Sequence, residues 1–395
     1  MKTETTTHSP PIDDTFHTEQ VMTIAGGHFV HDTYSAFIAP LLPLIQERLG
    51  TGYALTGSLA IFAQLPSLLN PFIGYLADRI SLRYFIILAP AITATLMSFM
   101  GLAPTYLSLA LVLLAAGVSI AAFHAPAPAM IARVSGRRVG TGMSIFMASG
   151  ELGRTLGPVF VVAGVTWFGL EGIWRLMFAG WAVSGILYLR LRHVSARPQT
   201  GATGALADIM PTVRRIFPLL ILLMLVRSLI AISLTTYLPI YMSDVKEAGI
   251  WLSAAALTIL EGAGVAGALA TGTLSDRFGR FRILTVLLLL APIFMLVFLY
   301  SPSWLTIPLL IILGLTAISP TPVLLALIQD NFTQSRALAN GLFLAANFLI
   351  RAFGIWAVGF LADQFGLQTA FLWSAILGFL TLPAAWALAK THDRI

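Results

Sequence analysis

The chain is written as long apolar runs separated by short polar breaks, and each run is long enough for a helix that crosses a bilayer. About 20 helical residues, rising about 1.5 Å each, cover the hydrocarbon core. Twelve such spans fall at 21–45, 54–76, 84–103, 106–130, 140–166, 173–190, 217–241, 250–273, 283–300, 304–328, 337–362 and 369–389, and are numbered helices 1 to 12. Continuous apolar runs, in place of an alternation of period two, argue against a membrane β-barrel. Prolines such as Pro66, Pro71 and Pro90 interrupt several runs, which membrane helices tolerate better than soluble ones. The pattern predicts an all-α membrane protein with twelve transmembrane helices in two six-helix pseudo-repeats. One long polar connection, 192–216, separates an N-terminal bundle at 21–191 from a C-terminal bundle at 217–390. Residues 1–20 are read as a disordered cytoplasmic tail and 391–395 as a second tail.

Composition agrees, with 57% hydrophobic and 10% charged residues, which excludes an ordinary soluble domain. The basic pI of 9.8 does not point to nucleic acid, because no soluble domain carries the basic residues. No cysteine is present, so disulfides and thiolate metal sites are excluded. The polar start of the chain has no apolar core and is read as no cleavable signal peptide. Of the 23 Lys and Arg residues, Arg154, Arg227 and Arg351 lie within helices. Arg48, Arg175 and Lys246 lie in loops on one side, and the remaining seventeen lie on the other. The cation-rich side is inside, which places both termini in the cytoplasm.

The two halves repeat each other. Gly74-Tyr-Leu-Ala-Asp78-Arg79-Ile-Ser-Leu-Arg83 recurs as Gly272-Thr-Leu-Ser-Asp276-Arg277-Phe-Gly-Arg-Phe-Arg282. Leu42-Pro43-Leu44 matches Leu238-Pro239-Ile240, Pro126 with Pro128 matches Pro320 with Pro322, and Arg154 with Gly157 matches Arg351 with Gly354. Parallel repeats imply a pseudo-two-fold axis along the membrane normal, with a pathway between the halves.

The loop between helices 2 and 3 and its copy between helices 8 and 9 resemble the signature of the major facilitator superfamily. Within it, His28 to Asp32, Phe123-His124 before Pro126, and Gly140 to Pro158 resemble the fosmidomycin-resistance branch of drug exporters. That branch typically has His-Pro where this chain has His124-Ala125, and commonly an amide where Glu151 stands. The resemblance implies a gating role for Asp78, Arg79, Arg83, Asp276 and Arg277, which in the superfamily stabilise the outward-open state. It also implies that helices 3, 6, 9 and 12 are the outer ones, and these lack ionisable residues in their interiors.

Ionisable residues inside the spans are His28, His31, Asp32, His124, Glu151, Arg154, Arg227, Glu261 and Arg351. An acid at mid-membrane costs about 2.5–3.5 kcal/mol on insertion scales and marks a site that faces protein or a wet cavity. His28, His31 and Asp32 stand at i, i+3 and i+4, on one helix face. With His124 and Glu151 they form the proton-coupling candidates; the alternative is that they only hydrogen-bond a neighbouring helix. Arg154 lies three residues after Glu151, and either neutralises it or tunes an acid that titrates through a cycle. Aligned on the repeat, Arg227 matches His31 and Glu261 matches Gln64, so the halves are asymmetric. Arg154, Arg227, Arg351, Glu261, Tyr34 and Phe37 are the substrate-binding candidates, with Arg351 pairing Glu261 as the alternative to an anion site. Gly153 and Gly157 form a small-xxx-small pattern for close helix approach. No paired spacing supports a metal site, and no cofactor is expected.

No phosphate-binding loop of the G-x-x-x-x-G-K-[ST] kind exists, so transport would be driven by a gradient. The resulting expectation is a proton-coupled antiporter that exports a small drug-like compound, with proton-coupled uptake of an organic anion as the alternative. No nucleophile-and-base pair points to an enzyme. The expected surroundings are a bacterial inner membrane and protons, with no nucleic acid and a monomeric chain.

Overall fold

Proline placement decides where these helices bend. In the computed structural model, which describes residues 15–77, 80–136, 138–195, 206–321, 323–324, 327 and 336–392, helix 1 is built from Thr18–Ser35 and Ile38–Leu49. Pro40 has no N–H to give to the carbonyl of Ala36, and its ring crowds that carbonyl, so the helix turns at Ala36 and Phe37. Helix 2 runs Tyr53–Gln64, tightens through Leu65–Leu69 around Pro66 and resumes at Asn70–Ala77. Helix 3 is Arg83–Ser98 and helix 4 is Tyr106–His124 followed by Ala127–Val134, broken at Pro126. Helix 5, Val139–Phe168, is continuous in spite of Pro158. Helix 6 is Met177–Leu191 after a short turn at Glu171–Leu176.

Helix 7 begins at Leu206, within the stretch expected to be a connection, and passes through a π-turn at Ser233–Tyr237 into Leu238–Asp244. Helices 8 and 9 are Ile250–Phe278 and Arg280–Tyr300. Helix 10 is Thr306–Leu313, loosened by a second π-turn at Gly314–Ile318. Helix 11 is Arg336–Phe365 and helix 12 is Leu367–Gly378 with Thr381–His392. The architecture is all-α, with no strand among the described residues. Asp78 and Arg79 lie outside the described residues, as does the side chain of Asp276.

Helix 1 lies along helix 5, and helix 3 packs between helices 4 and 6; in the second half helix 8 packs on helix 10 and helix 12 on helices 7 and 9. Large apolar side chains such as Leu107, Leu189 and Trp304 point outward, as suits a lipid-facing surface. The halves touch through helix 2 on helix 11, helix 5 on helix 8, and the 38–49 piece of helix 1 on the end of helix 7. The links at 49–53, 244–250 and 365–367 share one end of the bundle, the cation-poor end that carries Arg48, Arg175 and Lys246. At that end the halves are joined. Among the described residues no comparable packing joins the opposite pieces of helices 1 and 7, 18–35 and 206–232.

Candidate functional site

Asp32 is 1% exposed, yet three cationic or protonatable groups converge on it. Nε2 of His124 lies 3.1 Å from Oδ1, Nε2 of His28 lies 3.3 Å from Oδ2, and Nη1 of Arg154 lies 3.8 Å from Oδ2. His28 stands one helical turn before Asp32, so the shared face read from the spacing brings these two together. His124 arrives from helix 4 at the point where Pro126 ends the first helical piece. Arg154 arrives from helix 5.

Glycines make this convergence possible. A Cβ on Gly153 would strike the carbonyl of Phe29, and one on Gly157 would lie 2.6 Å from the carbonyl oxygen of Thr33. Helix 5 therefore presses its backbone against helix 1. Gly150 opens a slot for the His28 ring, whose Nε2 would lie 2.5 Å from an added Cβ. In that slot the ring stacks on Phe146 with centroids 3.9 Å apart, and Nδ1 sits 2.8 Å from the Phe146 carbonyl oxygen. Phe146 is among the aromatics the sequence offers as pocket lining, whereas Gly150, three residues before Gly153, does not stand out there.

The Phe146 contact fixes the chemistry of His28. A carbonyl oxygen only accepts, so Nδ1 must carry the hydrogen. A neutral His28 then turns a bare Nε2 lone pair toward a carboxylate oxygen, and Nε2 makes no aligned hydrogen bond in this arrangement. One proton on either partner turns that repulsive contact into an attractive one. His28, Asp32 and His124 also bring ligand atoms within 4.8 Å of one another, a spacing that a metal ion can bridge. The guanidinium of Arg154 beside Asp32 opposes a dication there more strongly than a single proton.

His31 is fully buried, and its ring meets that of His124 edge-on at 5.5 Å. Its ring stacks on Phe123 at 4.4 Å, and neither ring nitrogen has an aligned hydrogen-bond partner. Adjacent helical residues point about 100° apart, and His31 reaches the cluster through the His124 ring, with no ion pair to Asp32 within 4.0 Å among the described residues.

Glu151 and Arg154 form an ion pair, with side chains 31% and 45% exposed. Arg154 thus stands between two acids, Asp32 and Glu151, where the sequence had allowed Glu151 to face Asp32 directly. Glu261, on helix 8, lies within electrostatic reach of Arg154, Arg351 and Glu151. It makes no ion pair within 4.0 Å of Arg351 among the described residues; Arg351 donates to the Thr235 hydroxyl at 3.2 Å. Arg227 is held by helix 10, where its Nη2 donates to the carbonyls of Ala317 and Ile318 at 3.3 Å and to Thr321 Oγ1 at 3.0 Å. Pro322, four residues after Ile318, has no N–H to offer that carbonyl, and the two carbonyls, with Thr321, occupy that nitrogen of Arg227.

Tyr34 and Phe37 are 1% and 0% exposed. The Tyr34 hydroxyl donates to the carbonyl of Leu176 and its ring packs 4.9 Å from Phe37. Both sit in the apolar core beside the turn in helix 1. Arg83 lies over the ring of Tyr84 at 5.3 Å, and Arg277 is exposed at the end of helix 8.

The chain is 24% identical over 371 residues to the fosmidomycin resistance protein of Escherichia coli (strain K12), covering 91% of each. It is 24% identical over 383 residues to the uncharacterized MFS-type transporter YfnC of Bacillus subtilis (strain 168), covering 93% of each. Its fold matches the crystal structure of a bacterial homolog of the human lysosomal transporter Spinster, in an inward-facing and unoccupied conformation. The TM-score is 0.80 at 16% identity, over 94% of this chain and 97% of the other. Residues 24–335 match the model of the Major Facilitator Superfamily, and the chain is therefore a membrane transporter belonging to that superfamily.

Proposed function

We propose that the chain exports a small drug-like compound in exchange for protons by alternating access, with its cation-rich end in the cytoplasm of a bacterial inner membrane. The observation that carries this reading is the contact between His28 Nε2 and Asp32 Oδ2, in which a carbonyl-fixed tautomer leaves room for one proton. His124 completes the proton site. Arg154 links it to the substrate space, because a ligand that draws Arg154 away from Asp32 changes how tightly that carboxylate holds its proton. Glu151, Glu261 and Arg351 face the same space and contact the compound. Arg83 and Arg277, with Asp78, Arg79 and Asp276, gate the cytoplasmic end. The export direction draws on the likeness to a fosmidomycin resistance protein.

A second reading, uptake of an organic anion together with protons, is favoured by Arg351, whose Nη2 meets a hydroxyl and, among the described residues, no carboxylate within 4.0 Å. A guanidinium so placed suits a phosphonate or carboxylate. The deciding experiment imposes a proton gradient on proteoliposomes holding the purified chain and follows labelled fosmidomycin. Movement against the proton flow supports exchange, and movement with it supports the uptake reading. Movement that ignores the gradient refutes proton coupling in either form.

A further inference from the structure

At the cation-poor end, helix 2 begins after Gly52, whose N-cap position offers no side chain to the free N–H groups of the first turn. The other half supplies the cap. Asp363 of helix 11 accepts from the Tyr53 N–H at 2.5 Å and from the Ala54 N–H at 3.0 Å. Gly52 leaves the space for it, since a Cβ there would lie 2.7 Å from Asp363 Oδ1. Asp363 occupies the last turn of its own helix, Arg336–Phe365, where the helix dipole disfavours an acid. Against the start of helix 2 the same charge becomes favourable. The side chain is therefore well placed only while the two halves touch.

Tyr53 is gripped at its other polar atoms as well. Its hydroxyl donates to Asp244 Oδ2 on helix 7 at 3.0 Å. The Tyr237 hydroxyl, also from helix 7, donates to the Ile355 carbonyl at 2.7 Å and reaches the Tyr53 carbonyl at 3.4 Å. Gly57 and Gly359 leave the room that Tyr237 needs, and a Cβ on Gly359 would lie 2.5 Å from the Cα of Ala54. The N–H, the carbonyl and the hydroxyl of Tyr53 are each engaged by the C-terminal half.

We propose that Tyr53 and Asp363, with Asp244 and Tyr237, form the outer gate of this transporter, a helix start capped in trans that holds one end shut while the other is open. The proposal rests on the alternating-access reading and on the cation-poor end facing outward. Opening the outer end must break these contacts together, so they set the balance between the two states and leave the proton site untouched.

The chain contains no cysteine, so spin labels at Leu107→Cys and Trp304→Cys would report the width of this end cleanly. Both side chains are exposed, at 66% and 75%, and stand at the same end in different halves, away from the gate. Asp363→Ala is expected to raise the population of wide distances about fivefold, the effect of losing one helix cap. Gly52→Ser added to Asp363→Ala restores a cap within helix 2 without restoring the bridge. That double variant is expected to regain thermal stability while its outer end stays open. Unchanged distances in Asp363→Ala would overturn the proposal, as would a return to the closed distances on adding Gly52→Ser. The distance measurement needs no proton gradient, so a failure of proton coupling and a failure of the gate are read separately.

Discussion

Replacing Asp32 with Asn tests the proton site with the least change of shape. The amide keeps the volume and one acceptor oxygen for His124, which lies 3.1 Å from Oδ1, but removes the charge that Arg154 meets at 3.8 Å. Two full charges at that separation are worth about 4 kcal/mol at an effective dielectric near 20. The Arg154 side chain is 45% exposed and keeps its bond to Glu151, so screening brings the folding cost down to about 1 kcal/mol. Coupling is lost far more completely, because an amide does not take up the proton that the His28–Asp32 contact requires. The purified Asp32→Asn protein is expected to fold and to bind substrate, while in proteoliposomes the accumulation ratio driven by a proton gradient falls to about unity. A coupling free energy of about 1–3 kcal/mol corresponds to about 5–150-fold, well above the scatter of a flux measurement. Accumulation by Asp32→Asn equal to that of the parent would refute the proton site.

Three further substitutions probe the surroundings. Gly150→Ala places a methyl group against the His28 ring and is expected to cost about 1–3 kcal/mol in thermal unfolding and to shift the pH profile of transport; Gly26→Ala, with nothing within 4 Å, should leave both unchanged. Arg154→Ala should reduce transport far more than Glu151→Gln, because it leaves two acids without their shared cation, whereas Glu151→Gln should move the pH profile; overlaid profiles would make Glu151 a structural partner only. Tyr34→Phe removes the bond to Leu176 from the core and should lower stability by about 1 kcal/mol with no change in substrate affinity by equilibrium binding.

The helical architecture was readable because bilayer thickness imposes a length on every span, and local spacing paired His28 with Asp32 and Glu151 with Arg154. Contacts between distant segments left weaker traces. His124 meets Asp32 across 92 positions; its place inside a span made it a candidate, but no spacing said which group it faces. His31 shares the broad face of its helix with Asp32 but meets the His124 ring in place of the carboxylate, a distinction that a polar residue count on one face does not make. Arg227 looked free for an anion because its carbonyl partners on helix 10 lie about 90 positions away and leave no signature in side-chain polarity. Tyr34 and Phe37 looked like pocket residues until the turn before Pro40 directed them into the core. The trans cap of helix 2 was hidden for a related reason: a glycine at a helix start says that a cap is missing and does not say who provides it.

The interruption of helix 1 and its load of His28, His31 and Asp32 also bear on how the protein is made. This helix leaves the ribosome before helices 4 and 5, and an acid near its middle opposes partition into lipid by about 2.5–3.5 kcal/mol. The groups that compensate Asp32 come later, His124 after 92 residues and Arg154 after 122, the difference between positions 154 and 32. At synthesis rates of about 5–20 residues per second, helix 1 waits about 5 to 25 seconds for them. During that interval the acid is without those partners, and the apolar residues of 38–45 favour insertion of the helix. Assembly of the buried cluster is then the event that commits helix 1 to the membrane, so substitutions at His124 or Arg154 should raise the fraction of newly made chains that are degraded, even where the finished protein is stable.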